Sequence, residues 1–101
     1  MPKTILLLGR KGILVEDAKA QIDDPNITVY GGTCLEDVKS VFAETQIDHV
    51  FMGAGIEIEK RLEIVNEIFS LSQTTNVHLK DATSGPAGFL PFVKRVLVGF
   101  E

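Results

Sequence analysis

Apolar residues in this chain come in two kinds of run, and the two kinds alternate. Short blocks such as "KTILLL" (3–8) and "HVFM" (49–52) are separated by stretches in which apolar positions recur every three or four residues. The blocks predict strands and the spaced stretches predict amphipathic helices. Strands are expected at Lys3–Leu8, Ile27–Tyr30, His49–Met52 and Val77–Lys80. The first helical pattern runs from about Leu14 to Ile22, with Leu14, Ala18 and Ile22 on one face, and "DDPN" (23–26) breaks it. The second carries Leu35, Val38, Val41 and Phe42. The third carries Ile58, Leu62, Val65 and Phe69, with Ile64, Ile68 and Leu71 widening the face. The last carries Phe89, Phe92, Val93, Val96, Leu97 and Phe100.

Strict strand–helix alternation implies parallel strands joined by right-handed crossover helices, an α/β architecture of three layers. The strands also carry information on their order. A strand buried on both faces reads as a continuous apolar run, whereas an edge strand alternates. "ILLL" and "VFM" are continuous; "ITVY" and "VHLK" alternate. The first and third strands are therefore expected at the centre, giving the order 2-1-3-4. The rival order 3-2-1-4 would put the third strand at an edge and is less well matched.

The chain has 101 residues, 45% of them apolar, which fits a single domain over 1–101 with one core. Its one cysteine, Cys34, excludes an intrachain disulfide and any multi-cysteine metal site. The apolar stretch near the N-terminus is too short for a signal-peptide core or a membrane span, so the expectation is a soluble, cytoplasmic protein. Net charge is −4, from ten basic and fourteen acidic residues, and the basic residues form no block longer than a pair. A nucleic-acid interface needs a basic stripe to neutralise phosphates, so neither nucleic acid nor an anionic membrane is expected as a partner.

In open α/β sheets, ligands bind beyond the carboxyl ends of the strands where strand order reverses. With order 2-1-3-4 that point lies between "GRKG" (9–12) and "GAGIE" (53–57). Gly53 and Gly55 do not complete a G-x-G-x-x-G fingerprint, because position 58 is Ile, and Glu57 and Glu59 already complement the following helix dipole. "GAG" is thus read first as a strand-to-helix turn. "GRKG" is the better anion site: Gly9 and Gly12 loosen the backbone, and Arg10 and Lys11 supply charge. The alternative is that both cations are solvated or pair with Glu57. A third loop, "DATSGPA" (81–87), leads into a helix start without a carboxylate. Thr83, Ser84 and Gly85, with Lys80 and Asp81, are candidate polar contacts there, and a plain surface loop is the competing reading. Thr33-x-x-Glu36 reads as a capping box that places Cys34 at the first helical position. The thiol has no histidine near it in sequence and is read as structural. His49 and His78 form no H-x-H or H-x-x-x-H pair, so no metal site is expected.

In element order the whole chain resembles flavodoxin-like domains. Two families of that architecture are not matched. Response-regulator receivers carry an acidic pair after the first strand and a phospho-accepting Asp after the third, where this chain has Gly9-Arg10 and Met52-Gly53. Small phosphotransferase-system IIB domains carry a nucleophilic Cys after the first strand, where this chain has Gly9. The sequence therefore supports a domain of unassigned function that binds a small anionic or nucleotide-like ligand at the carboxyl edge of its sheet. The nine candidate contacts are Gly9, Arg10, Lys11, Gly12, Gly53, Gly55, Thr83, Ser84 and Gly85. The alternative is a non-catalytic, dimerising interaction module, because Leu90 and Val98 extend the last helix's apolar surface beyond one stripe. A homodimer is expected in either case. Whether the chain is an enzyme, and which cofactor it takes, stay open; Cys34, Asp81 and Ser84 are the only candidate reactive groups and they lack a base.

Overall fold

A computed structural model describes residues 3–9, 15–53, 55–80 and 88–99. Four strands, β1 (Lys3–Leu8), β2 (Ile27–Gly32), β3 (His49–Met52) and β4 (Asn76–Leu79), alternate with four helices, α1 (Val15–Ile22), α2 (Leu35–Glu44), α3 (Ile58–Leu71) and α4 (Phe89–Gly99). The strands form one parallel sheet in the order β2-β1-β3-β4. This is the flavodoxin-like order, and the rival 3-2-1-4 is excluded. β1 and β3 match the expected strands residue for residue. β2 runs two residues further, to Gly32, while β4 starts and ends one residue earlier than the apolar run implies.

Because both faces of the two central strands are covered, alternate residues feed two separate cores. Leu6, Leu8, Val50 and Met52 pack with Val38, Val41, Ile64 and Ile68 under α2 and α3. Ile5, Leu7 and Phe51 pack with Ala18, Val29, Val93 and Leu97 under α1 and α4. All four residues of Ile5–Leu8 are fully buried. Fully burying one such side chain stabilises by about 1.5–3 kcal/mol, so this strand carries a large share of the core.

Side chains pin the strand ends. Asp48, just before β3, accepts the Thr4 N–H on Oδ2 at 2.7 Å, and its own N–H donates to Thr4 O at 2.8 Å. After α1 the chain reverses through Asp23, which adopts a left-handed conformation (φ 50°) while its N–H donates to Lys19 O. An aspartate tolerates that region better than most residues. Asp24 then accepts the Asn26 N–H on its carboxylate at 2.9 Å, an Asx turn that leads into β2. The buried Thr75 hydroxyl, before β4, donates to Ile47 O at 2.7 Å and lies 2.8 Å from Ser72 Oγ.

One helix turns a different face to the core than its spacing implies. On α3 the buried residues are Ile64 and Ile68, with Val65 partly covered. The stripe expected inside is largely outside: Ile58, Leu62 and Phe69 are 53%, 58% and 50% exposed. Two apolar stripes share this helix, and only one fits against the sheet. On α4 Val93 and Leu97 are buried and Phe89, Phe92 and Val96 pack against them, as expected; Leu90, expected beyond that stripe, packs there too, Val98 points outward, and Phe100 lies outside the described residues. Among the described residues no helix is long and apolar enough to cross a membrane.

Candidate functional site

The order β2-β1-β3-β4 puts the reversal point between β1 and β3, and the residues that leave these strands are Gly9 and Gly53. Gly53 N–H donates to Leu8 O at 2.9 Å, and Gly9 N–H donates to Gly32 O at 3.2 Å. The exits of β1, β2 and β3 are therefore tied side by side at the carboxyl edge. Of the nine candidate contacts, Gly9, Gly53 and Gly55 are described; Arg10, Lys11, Gly12, Thr83, Ser84 and Gly85 lie outside the described residues.

The turn reading of "GAG" agrees with its backbone. Ile56 N–H reaches back to Gly53 O at 3.4 Å before α3 begins, and Ile56 is buried in the core beneath α2 and α3. Yet Gly53 is not forced by crowding. A Cβ there would stand 3.6 Å from Leu8 O and 3.9 Å from the Phe89 ring, which are ordinary contacts. A glycine with a steric reason is Gly32, at the end of β2. A Cβ on it would come within 2.8 Å of Asp37 Cβ and 3.2 Å of Leu8 Cδ2, so α2 can start this close to the sheet only over a glycine.

That close start also changes the cap of α2. Cys34, not Thr33, is the residue preceding the helix, and its side chain makes no capping bond. The reach-back group is Asp37 rather than Glu36. Its carboxylate accepts the Thr33 N–H at 2.8 Å and lies 3.3 Å from Thr33 Oγ1. The Thr33 N–H holds the Asp37 carboxyl below the usual carboxylate range; contacts with Cys34 and the Thr33 hydroxyl add to the effect, and partial burial opposes it. The expected Thr33–Glu36 box is therefore replaced by a Thr33–Asp37 one, with the helix one residue later. Cys34 is half-buried at its start.

Two cations stand at the carboxyl end of β4. Lys80 continues that strand, its N–H donating to Met52 O at 3.0 Å, and the residue is only 3% exposed. A lysine this buried must keep its ammonium among polar or anionic partners. Arg61, in the second turn of α3, donates from Nη1 to Lys80 O at 3.2 Å. Its Nε is buried and has no hydrogen-bond partner among the described residues. The first turn of α4, which opens on the same edge, holds no acidic residue. Sequence reasoning named Lys80 as a contact but missed Arg61. Arg61 lies in the midst of an acidic helical pattern, and nothing in its neighbours shows that it bends back to the sheet.

The two histidines meet across β3 and β4, on the face of the sheet that α1 and α4 cover. His49 is buried at the start of β3, and His78 is half-buried on the neighbouring strand. Their rings stack with centroids 5.3 Å apart; His78 also stacks on Phe51 at 4.8 Å, whose ring meets Phe92 edge-on. Local spacing between histidines could not reveal a pair made across two strands. Among the described residues no group of three His, Cys, Asp or Glu converges to hold a metal ion. Comparison of the chain with protein-family models, with curated proteins and with solved structures finds no match.

Proposed function

We propose that this domain binds a small anionic or nucleotide-like ligand at the carboxyl edge of its sheet. The observation that carries the reading is the Arg61–Lys80 arrangement: two cationic side chains drawn in at the edge, with a buried guanidinium N–H left unpartnered among the described residues. Gly9 and Gly53, both half-buried, stand at the reversal point of the sheet, the place where open α/β sheets take up such ligands. In this reading Arg10, Lys11 and Gly12 would meet the anion from the first loop, and Gly55, Thr83, Ser84 and Gly85 would surround it. Native mass spectrometry of the purified protein tests it, followed by titration with ATP and with inorganic phosphate. A co-purified species above the 11.0 kDa chain mass, or saturable binding weakened about tenfold by Arg10→Ala, supports the reading. Absence of any binding, or affinity unchanged in Arg10→Ala and Arg61→Met, sinks it.

A second reading, a non-catalytic, dimerising interaction module, is favoured by a separate observation. Ile58, Leu62, Phe69, Leu71, Leu79 and Val98 are large apolar side chains that stand well exposed. Sedimentation of the isolated protein distinguishes a self-associating module from a monomer.

A further inference from the structure

We infer that a second copy of this chain docks along the outer edge of β4, extending the sheet and packing α3 against α3. The inference deepens the interaction-module reading and is independent of the ligand reading. Three observations converge on this face.

The first is the strand edge. Asn76 and Lys80 direct their N–H groups to β3, onto Asp48 O and Met52 O at 3.0 Å each. Alternation along the strand then turns the N–H and C=O groups of Val77 and Leu79 outward. Among the described residues no strand pairs with that edge. Edges are ordinarily guarded by lysine, proline or a bulge. β4 reads Asn-Val-His-Leu and has none of the first two, and the nearby Lys80 is buried rather than turned out as a guard.

The second is the helix above it. Ile58, Leu62, Val65 and Phe69 form one stripe, rotated about a quarter-turn from the buried Ile64 and Ile68. In a right-handed β3-α3-β4 crossover, that rotation carries the stripe toward β4 and its open edge, away from α2. Leu79, 41% exposed, alternates with His78 and so shares the α3 face with Val77, which packs beneath that helix. The apolar helix stripe and the apolar strand residue thus flank the same unpaired edge.

The third is self-complementarity. A two-fold axis perpendicular to the sheet, midway between His78 of the two copies, sets Val77 opposite Leu79 of the second copy and the reverse. Each of these pairs exchanges both of its outward backbone bonds. The same operation leaves both α3 helices on one side of the joined sheet, antiparallel, with their stripes facing. Asn66, which flanks the middle of the stripe, is uncharged, so like charges do not collide there. Ile58, Leu62, Phe69 and Leu79 together offer on the order of 400 Å² of apolar surface per copy. That is half of the ~800 Å² per partner that a specific interface buries, before the strand and helix backbones are counted. An unrelated strand would satisfy the edge but not the stripe, so a second copy is the better occupant.

Light scattering on a sizing column, run over a wide concentration range, tests this on the whole chain. The expected mass is twice 11.0 kDa. Leu62→Glu and Leu79→Lys, both on exposed positions, should each raise the dimer dissociation constant roughly 100-fold or more while circular dichroism stays unchanged. Val98→Glu, on α4, should leave it alone. A dimer that survives both β4–α3 variants but is broken by Val98→Glu overturns this surface and keeps the interaction-module reading. A monomer at every concentration overturns both.

Discussion

His49 Nδ1 lies 3.1 Å from His78 Nε2, close enough for one imidazole N–H to donate to the other ring. The pair can share one proton on that line but cannot hold two, because both nitrogens would then be donors. Burial lowers both imidazoles below the ordinary value of 6.5; for His49 the neighbouring His78 and Lys3 lower it further, while Asp48 opposes. Lowered folded-state values mean that, as pH falls, the unfolded chain takes up protons first. Stability from this pair is therefore intact above about pH 7, falls as pH drops below 6.5, and levels off below the folded-state values. Urea unfolding at pH 7.5 and 5.5 should show a lower midpoint at the acid pH, and His78→Gln should shrink the difference. Equal pH dependence in the two proteins would show that the pair does not titrate as described.

Gly32→Ala should destabilise by roughly 1–3 kcal/mol, the usual cost of forcing a methyl into a packed seam. The new Cβ meets Asp37 Cβ, the root of a side chain on a helix, which cannot swing aside. By contrast Gly53→Ala makes only ordinary contacts and should cost less than Gly32→Ala. Chemical denaturation of the two variants side by side checks the order; a reversed ranking would mean that the β2–α2 seam is looser than described.

Asp37→Ala should cost about 1 kcal/mol at neutral pH, through loss of the acceptor for Thr33 N–H. Since the Asp37 carboxyl titrates below its ordinary 3.8, its contribution is complete above that value and is lost as pH falls through the folded-state value. The gap between wild type and Asp37→Ala should therefore close in strong acid. Glu36→Ala, expected from sequence to break the cap, should be nearly neutral at every pH.

Thr75→Val should destabilise by about 1–2 kcal/mol although it keeps the shape of the side chain. It removes a hydroxyl bonded to Ile47 O and close to Ser72 Oγ, and leaves the carbonyl unpaired in a buried place. Thr75→Ser, which restores the hydroxyl, should recover most of the loss in the same unfolding assay.

Sheet order was legible in the sequence because burial on both faces writes itself as an unbroken apolar run, as in Ile5–Leu8 and Val50–Met52. The start of α4 was legible for a related reason: Pro91 fits a helix only in its first turn, which is where it lies. The inward face of α3 was not legible. Ile58, Leu62 and Phe69 satisfy helical spacing as well as Ile64 and Ile68 do, and only the sheet decides between them. The His49–His78 pair and the Arg61–Lys80 bond were hidden because each joins two elements, 29 and 19 residues apart, and depends on strand register and the path of α3 rather than on local spacing. At the carboxyl edge, Gly9 and Gly53 were found from strand order, whereas the exchange of Glu36 for Asp37 at the α2 cap turned on the tight approach at Gly32.

The central position of β1 has a consequence for how the chain is made. Thr4 and its anchor Asp48 are 44 residues apart, and β1 gains its second neighbour only when β3 has been translated. Until then the nascent chain carries Ile-Leu-Leu-Leu with one flank open, at best paired to β2 alone. Its most apolar segment is thus its longest-waiting one. A ribosome stalled before residue 49 would display a half-built sheet prone to clumping, and one stalled after α3 has emerged would not.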